Sequence, residues 1–274
     1  MKIKKNFGLS WKLIAILIII FLTYSCCSIT CNLKPQDATH LSQQSFALIM
    51  ITANFKKPIC DPKTQKCTFS DMSVAAKGSS VIIHHRDGET YIASVAHVCN
   101  VEPPHKFLGK LKLSNIETKI KITLYDIWGN SHRGEVVYSD DSNDICILKS
   151  SGVWGKTTIL AEKPPIPGER VFNVAAPFGI WVPGMVPIME GLYSGTDGDG
   201  NEYYTIPTRP GSSGSPIFNH DGKLIGLIHS ASIMFESIGL GCKFQNLKEI
   251  IRSHAYLGSN KCHGCTTIYP PISQ

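Results

Sequence analysis

A serine framed by glycines lies in a polar turn, Pro210–Pro216, which reads Pro-Gly-Ser-Ser-Gly-Ser-Pro. Glycines on both sides allow backbone angles that other residues resist, so the Ser213 hydroxyl can be exposed while neighbouring N–H groups turn to one side. A plain flexible turn is the alternative, but the Gly-x-Ser-Gly frame singles out Ser213 over Ser212 and Ser215. Such a serine suits acyl transfer, which also requires a base, a group that orients the base, and donors for the oxyanion.

Candidates for the base and its orienting acid lie upstream. The β-rich run Tyr91–Ala96 ends in small residues and is followed by His97, which predicts an imidazole at a strand end. Asp144 precedes Ile145–Leu148, a run apolar enough to be a core strand, so its carboxylate would be largely desolvated. Such a carboxylate is tolerable only if it accepts hydrogen bonds, for example from an imidazole N–H. We therefore predict that the three side chains converge, the simpler alternatives being a structural histidine and a strand-capping aspartate.

The first half of the chain shows short strands separated by turns. Ser45–Thr52 predicts a strand that is buried on both faces. Val81–Val95 predicts a hairpin, with Asp87-Gly88 supplying the turn geometry. Lys119–Leu124 and Glu135–Tyr138 predict a second hairpin before Asp144.

The second half continues with short strands after the proline-rich connection Ser151–Gly168. The run Asp197–Asn201 superficially resembles a calcium loop, but its sixth position is Glu202 instead of glycine, so we expect a hairpin turn. A helix is predicted only near the end, at Asn246–Ile251, where Asn246 can cap and the apolar residues share one face.

At the three motifs the chain resembles the trypsin-like, chymotrypsin-fold serine peptidases. Within that family, its motifs are most similar to those of the bacterial HtrA/Deg type. Ala96-His97 resembles the family's histidine motif, Asp144–Lys149 its aspartate motif and Pro210–Pro216 its serine motif, in the same order. The resemblance covers roughly residues 45–256. Further segments that resemble the family are Gly78–Ile83, Val171–Gly179 and Gly191–Gly195.

The resemblance implies an all-β fold of two six-stranded antiparallel β-barrels, to which the sequence adds a C-terminal helix and an N-terminal hydrophobic helix. The expected protease domain is 45–257, with barrel one at about 45–150 and barrel two at about 165–245. The tail, 258–274, is too short for the PDZ domain of the HtrA type, so the resemblance does not extend to peptide-regulated, oligomeric behaviour.

The resemblance also implies an active site. His97, Asp144 and Ser213 would form the catalytic triad of a serine endopeptidase acting on protein or peptide substrates, and the N–H groups of Gly211 and Ser213 would form the oxyanion hole. No metal and no organic cofactor is expected.

The substrate pocket would be formed by Thr208 and by the strand residues His229, Ser230 and Ala231. Glutamate-selecting relatives place a histidine near His229, but here it falls one residue later, and one residue reverses the face of a strand. Binding of an acidic side chain and a structural role near the triad both stay open for His229.

The N-terminus predicts export. Met1–Lys12 is basic, and Leu13–Leu33 contains 21 residues without a charge. This segment, 1–33, could be a membrane anchor, a cleaved signal sequence or, with Cys26 after the apolar block, a lipoprotein signal; residues 34–44 would be a linker. Each alternative predicts a protease on the extracytoplasmic side, and the anchor predicts attachment to the membrane.

Export bears on the cysteines. Cys60 with Cys67, and Cys262 with Cys265, favour disulfides over the two halves of a zinc site. In animal members of the family a cysteine near Cys99 forms a disulfide, but no cysteine stands at the matching strand Gly78–Ile83, so Cys99 is expected to be a free buried thiol or to pair elsewhere.

Net charge gives no sign of a nucleic-acid partner. The formal charge is +6, but the leader contains four lysines and no acid; without those four, 23 basic residues stand against 21 acidic ones. The alternative to the enzyme hypothesis is a catalytically silent homologue that acts as a membrane-tethered peptide-binding module. A buried Asp beside a His argues against it.

Overall fold

The computed structural model of the chain describes residues 43–256 except 62, 65, 101–118, 233, 234 and 236. Strands dominate it, and two helices matter for the site: α1 (Ala96–Cys99), after β3, and α2 (Phe244–Ile251), after the last strand. The strands are β1 (Phe46–Cys60), β2 (Cys67–Arg86), β3 (Glu89–Ser94), β4 (Lys119–Asp126), β5 (Ser131–Asp140), β6 (Ile145–Ser151), β7 (Ile159–Leu160), β8 (Arg170–Val174), β9 (Ile188–Thr196), β10 (Glu202–Tyr204), β11 (Pro216–Asn219), β12 (Lys223–Ala231) and β13 (Gly239–Gly241).

The first six strands form a closed antiparallel barrel in the order β1-β2-β3-β6-β5-β4. The turn between β2 and β3 is tight because Asp87 and Gly88 both adopt left-handed backbone angles, with φ of 54° and 75°. The two hairpins predicted for this half are therefore confirmed, and their return strands lead to α1 and to β6.

The second barrel runs in the order β11-β8-β9-β10-β13-β12 and is closed by pairing of β11 with β12, while the short β7 adds to β12 in parallel. The fold class predicted from sequence, two six-stranded antiparallel barrels with a C-terminal helix, is confirmed. The expected N-terminal helix and the tail 258–274 lie outside the described residues. Within those that are described, no helix has the length and apolar character needed to cross a bilayer.

A continuous apolar core fills both barrels. In β1, Phe46 and Ile49 are fully buried, as expected for a strand covered on both faces. In the second barrel, Tyr204 and Phe218 are the largest fully buried side chains. Burial of this kind is the main source of stability, and it fixes the strand ends from which the site is built.

Two elements differ from the sequence prediction. β1 and β2 continue beyond the barrel as a long paired ribbon, whose last pair places Cys60 opposite Cys67. Whether these two cysteines form the predicted disulfide lies beyond what the structure describes, and so does the pair Cys262 and Cys265.

The helix α2 begins at Phe244, not at Asn246 as predicted. The Phe244 N–H donates to the buried carboxylate of Glu202, 2.8 Å away, so a side chain from β10 satisfies the helix start. Asn246 lies inside the helix and instead donates its side-chain amide to Asn143. The contact between Phe244 and Glu202 joins residues that are distant along the chain, so it could not be inferred from the local capping pattern.

Gly191 offers a test of how closely the second barrel is packed. A Cβ at Gly191 would lie 2.4 Å from the Thr205 carbonyl oxygen, which is backbone and cannot move aside, whereas a Cβ at Gly198 would meet nothing within 4 Å. We expect Gly191→Ala to lower the free energy of unfolding by about 2 kcal/mol and Gly198→Ala to change it by less than about 0.5 kcal/mol. Guanidinium unfolding of both variants measures this, and equal midpoints would refute the packing argument.

Candidate active site

His97 and Asp144 are joined by two hydrogen bonds. The His97 backbone N–H donates to Asp144 Oδ1 over 2.9 Å, and the ring atom Nδ1 lies 2.7 Å from Asp144 Oδ2. Both carboxylate oxygens are thus engaged by one residue. With Nδ1–H donating to the carboxylate, the lone pair of the ring lies on Nε2, on the far side from the acid.

Asp144 adopts an unusual backbone conformation at the start of β6. Its φ of 51° lies in the left-handed region, which non-glycine residues seldom enter, and this directs the side chain back toward α1. Burial raises the pKa of Asp144, but hydrogen bonds from the His97 ring and backbone outweigh it and set the pKa below its usual value. The carboxylate is therefore ionised at neutral pH.

The turn that carries Ser213 is attached to the first barrel. The N–H of Ser79, on β2, donates to the Ser213 carbonyl oxygen over 2.8 Å, and its hydroxyl donates to Gly211 O over 2.8 Å. A Cβ at Gly78 would lie 2.9 Å from Val98 Cγ1 and 3.1 Å from Ser213 O, so α1 and the serine turn pack against the same point of β2. Among the described residues, no hydrogen bond joins the Ser213 hydroxyl to the His97 ring.

Within this turn, only glycine fits at the two positions that flank Ser212 and Ser213. Gly211 and Gly214 have φ of 97° and 83°. A Cβ at Gly211 would lie 2.5 Å from the Ala176 carbonyl oxygen, and one at Gly214 would lie 2.1 Å from Ser94 Oγ. The glycines noted in the sequence are thus required by close approach as well as by backbone angle.

Two N–H groups of the turn remain available. The N–H groups of Ser212, Gly214 and Ser215 each donate to a backbone carbonyl, whereas those of Gly211 and Ser213 have no partner among the residues that the structure describes. Unpaired donors beside the half-buried Ser213 can stabilise a developing negative charge.

His229 lies near Asp144. It lines a cavity together with Asp144, while the preceding residue, Ile228, is buried and lies close to Gly239. Ile228 Cδ1 lies 2.9 Å from the position of a Cβ at Gly239, and Thr208 Oγ1 lies 2.5 Å from the same position. The pairing of β12 with β13 shifts register between Ile228 and Ser230, so strict strand alternation does not apply at His229.

The other residues expected at the substrate pocket lie together. Thr208 is buried, and its hydroxyl donates to the Ile206 carbonyl oxygen. On β12, Ser230 and Ala231 pair with β13 at Leu240 and Gly239. Because Gly239 also approaches Thr208, these residues border one region.

A polar cavity of about 320 Å³ is lined in part by Asp144. The turn between β9 and β10 borders it, and this turn is the hairpin predicted from sequence: Asp197 accepts the N–H groups of Asp199 and Asn201 within its own loop. In the described part of the chain, no three His, Cys, Asp or Glu side chains are grouped so as to bind a metal ion. Besides Asp144, Asp197, Asp199 and Asn201, the residues that line the cavity are Ser142, Asn143, Thr196, Gly198, Gly200, His229, Cys242, Lys243 and Asn246.

A disulfide joins the elements that carry the histidine and the aspartate. Cys99 at the end of α1 is bonded to Cys146 in β6, with Cα atoms 6.5 Å apart. The expectation of a free Cys99 thiol is wrong, and its alternative, pairing elsewhere, is correct. The missed signal was the cysteine two residues after Asp144. Cys242 is instead a free buried cysteine, and burial raises the pKa of its thiol to about 12.

Comparison with known proteins identifies the class. Residues 78–227, more than half of the chain, match the trypsin-like peptidase domain, so the chain belongs to that family. No curated protein matches the chain.

Two solved structures show the same fold. One is the serine endoprotease from Yersinia pestis, at 16% identity and a TM-score of 0.56; the match covers 80% of this chain and 66% of that one, so this chain spans slightly less than two thirds of its length. The other is a protease from M. tuberculosis in its active form, at 17% identity and a TM-score of 0.55, with 80% and 84% covered. At these identities the likeness concerns the fold alone.

The environment of His229 predicts acid sensitivity. Burial lowers the pKa of His229, and so does the nearby His97, while Asp144 raises it; the net shift is downward. A histidine with a depressed folded-state pKa contributes stability above its unfolded pKa of about 6.5, and this contribution is lost as pH falls through the folded value.

We expect His229→Gln to lose less unfolding free energy than the wild type as pH falls below about 6.5. The control is His220→Gln, at an exposed position, which should follow the wild-type profile. Guanidinium unfolding at a series of pH values measures the difference, and identical slopes for all three proteins would contradict the prediction.

Proposed function

We propose that this trypsin-like peptidase is a serine endopeptidase that hydrolyses peptide bonds of protein substrates, with His97 as base, Asp144 as orienting acid and Ser213 as nucleophile. The observation that carries the proposal is the double hydrogen bond between His97 and Asp144, at the same point of β2 where the serine turn is attached. The resemblance of its motifs to those of the HtrA/Deg type supports a relationship to that type.

The first step is attack by Ser213. Neutral His97 removes the hydroxyl proton through Nε2 as the oxygen attacks the peptide carbonyl carbon. Asp144 keeps the ring in the tautomer with its proton on Nδ1 and stabilises the imidazolium that forms. The low pKa of Asp144 supports this role, because the acid is a full negative charge at the working pH.

The tetrahedral intermediate requires donors for its oxyanion. The free N–H groups of Gly211 and Ser213 support this assignment, and the loss of one such donor typically costs about 3 to 4 kcal/mol of barrier. His97 then protonates the leaving amine, and water repeats the cycle on the acyl-enzyme. Thr208, Ser230 and Ala231 are proposed to border the acyl side of the substrate.

Active-site labelling tests the proposal. The full-length protein in detergent should react with a fluorophosphonate probe and cleave a peptide library, and Ser213→Ala should do neither. Asp144→Asn should lower kcat by about 10⁴-fold, because the ring loses its tautomer preference. The matched control Asp221→Asn removes a carboxylate from an exposed turn and should leave kcat unchanged.

The same experiment decides between the enzyme and the silent binding module. Equal labelling of the wild type and Ser213→Ala, or labelling of neither, would favour a peptide-binding homologue. Peptide binding without hydrolysis would then be its remaining activity.

We also propose that the protein acts on the extracytoplasmic side, attached to the membrane by residues 1–33. The basic stretch Met1–Lys12 and the uncharged Leu13–Leu33 support this. After expression, the protein should stay with membranes in carbonate extraction. A soluble product shortened by about 25 residues would instead identify a cleaved signal sequence.

A further inference from the structure

The turn 140–144, which joins β5 to β6, is built around the side chain of Asp140. This carboxylate accepts the N–H groups of Ser142 and Asn143 over 2.9 and 3.1 Å, and its second oxygen accepts the Asn143 side-chain amide over 2.7 Å. The bond from the Asn143 amide is the main reason that the pKa of Asp140 lies below its usual value. Asp144 ends the turn with a φ of 51°, so the shape of the turn decides where its carboxylate points.

The side-chain amide of Asn143 is also held from its other end, by α2. Its Nδ2 faces the Asp140 carboxylate, which offers only acceptors, so its Oδ1 faces away from that carboxylate. There, Oδ1 accepts the side-chain N–H of Asn246, which lies inside α2. The orientation of both amides therefore follows from one ionised acid. Among the residues that the structure describes, this is the one hydrogen bond that joins the turn 140–144 to α2.

α2 is a rigid support for this contact because it is anchored in the second barrel. Its first N–H group, that of Phe244, donates to the buried Glu202 of β10 over 2.8 Å. Its apolar face is buried in the core. Side chains on such an element are held more precisely than side chains on loops, so Asn246 presents its amide at a fixed place. The barrel that carries Ser213 thus also contacts the turn that carries Asp144.

A second asparagine attaches the same turn to the helix of the histidine. Just after α1, the Asn100 side-chain amide donates to Asp141 Oδ1 and to Ser139 Oγ, both over 2.8 Å. Because α1 carries His97, this contact joins the turn to the first barrel. The contact from Asn246 is separate and comes from the second barrel.

Two polar cavities meet at the contact between Asn143 and Asn246. Both residues line the cavity of about 320 Å³ that Asp144 helps to form. Both also line a second cavity, of about 240 Å³, which Glu249 and His254 border. Water can replace a lost amide where polar space lies on both sides, so the contact contributes little to stability. Its effect falls instead on the place of the turn.

We propose that Asn246, acting through Asn143, is a positioning residue for the orienting acid. It holds the turn so that the Asp144 carboxylate meets both the backbone N–H and the ring Nδ1 of His97. The inference rests on the proposed function and deepens it. The second barrel supplies the nucleophile and also sets the place of the acid in the first barrel.

The test is peptide hydrolysis by full-length Asn246→Ala and Asn143→Ala. Each should lower kcat about tenfold and leave KM unchanged, less than the roughly 10²-fold cost of a 1 Å misplacement, because backbone bonds to Asp140 still shape the turn. The double variant should lose no more than either single variant, since the two amides act as one unit. Losses that multiply in the double variant, or a kcat for Asn246→Ala within about twofold of the wild type, would overturn the inference.

Asn130→Ala is the matched control. The Asn130 side-chain amide also donates to a carboxylate, that of Asp126, over 2.9 Å, but in the turn between β4 and β5. This variant should keep the wild-type kcat. Alanine is a better helix former than asparagine, so Asn246→Ala should keep the wild-type melting temperature. A loss of kcat shared by the control, together with lower melting temperatures, would assign the effect to stability and contradict a positioning role.

Proton NMR separates this inference from the proposed function. In full-length Ser213→Ala, the His97 Nδ1 proton that is bonded to Asp144 resonates far downfield and reports this hydrogen bond without any hydrolysis. Adding Asn246→Ala should shift or broaden the resonance, and adding Asn130→Ala should not. An unchanged resonance would overturn the inference even if the wild type cleaves peptides. A changed resonance, with a wild type that cleaves none, would refute the hydrolase and support the positioning role.

Discussion

Ser79 is the residue on which the junction of the two barrels depends. It is fully buried in β2, its N–H donates to Ser213 O and its hydroxyl donates to Gly211 O. The same hydroxyl accepts the Ala176 N–H over 3.0 Å, and the Ser79 carbonyl accepts the Ser94 hydroxyl over 2.9 Å. A buried polar group of this kind is stable only when all its bonds are made, so the serine turn has one position relative to the first barrel.

Two carboxylates, the half-buried Asp144 and the buried Glu202, show how differently the cost of burial can be compensated. Asp144 accepts two bonds from His97 and stays ionised, with a lowered pKa. Glu202 accepts the Tyr204 hydroxyl and the Phe244 N–H, yet burial is the larger effect and raises its pKa. The first acid can orient a base and stabilise a cation, whereas the second links β10 to α2. Their local sequences do not distinguish them; their partners do.

Local patterns predicted much of this molecule. The Asp87-Gly88 turn and the hairpins of the first half require only neighbouring residues, so they could be inferred from sequence and are confirmed. The start of α2 was misplaced because Glu202, 42 positions away, satisfies it. The bond between Cys99 and Cys146, and the junction at Ser79, were missed for the same reason, since both join elements distant along the chain. The triad residues were found by motif, and their roles remain a proposal.

The division of the site between barrels has a consequence for biosynthesis. The histidine and the acid lie in the first barrel, while the serine and its donors appear only after Pro210, in the last third of the chain. Under the proposed mechanism, a nascent polypeptide leaving the ribosome has a complete acid–base pair but nothing for it to activate. Under that mechanism, hydrolytic capacity arises only after residues of both barrels have been synthesised and have folded together.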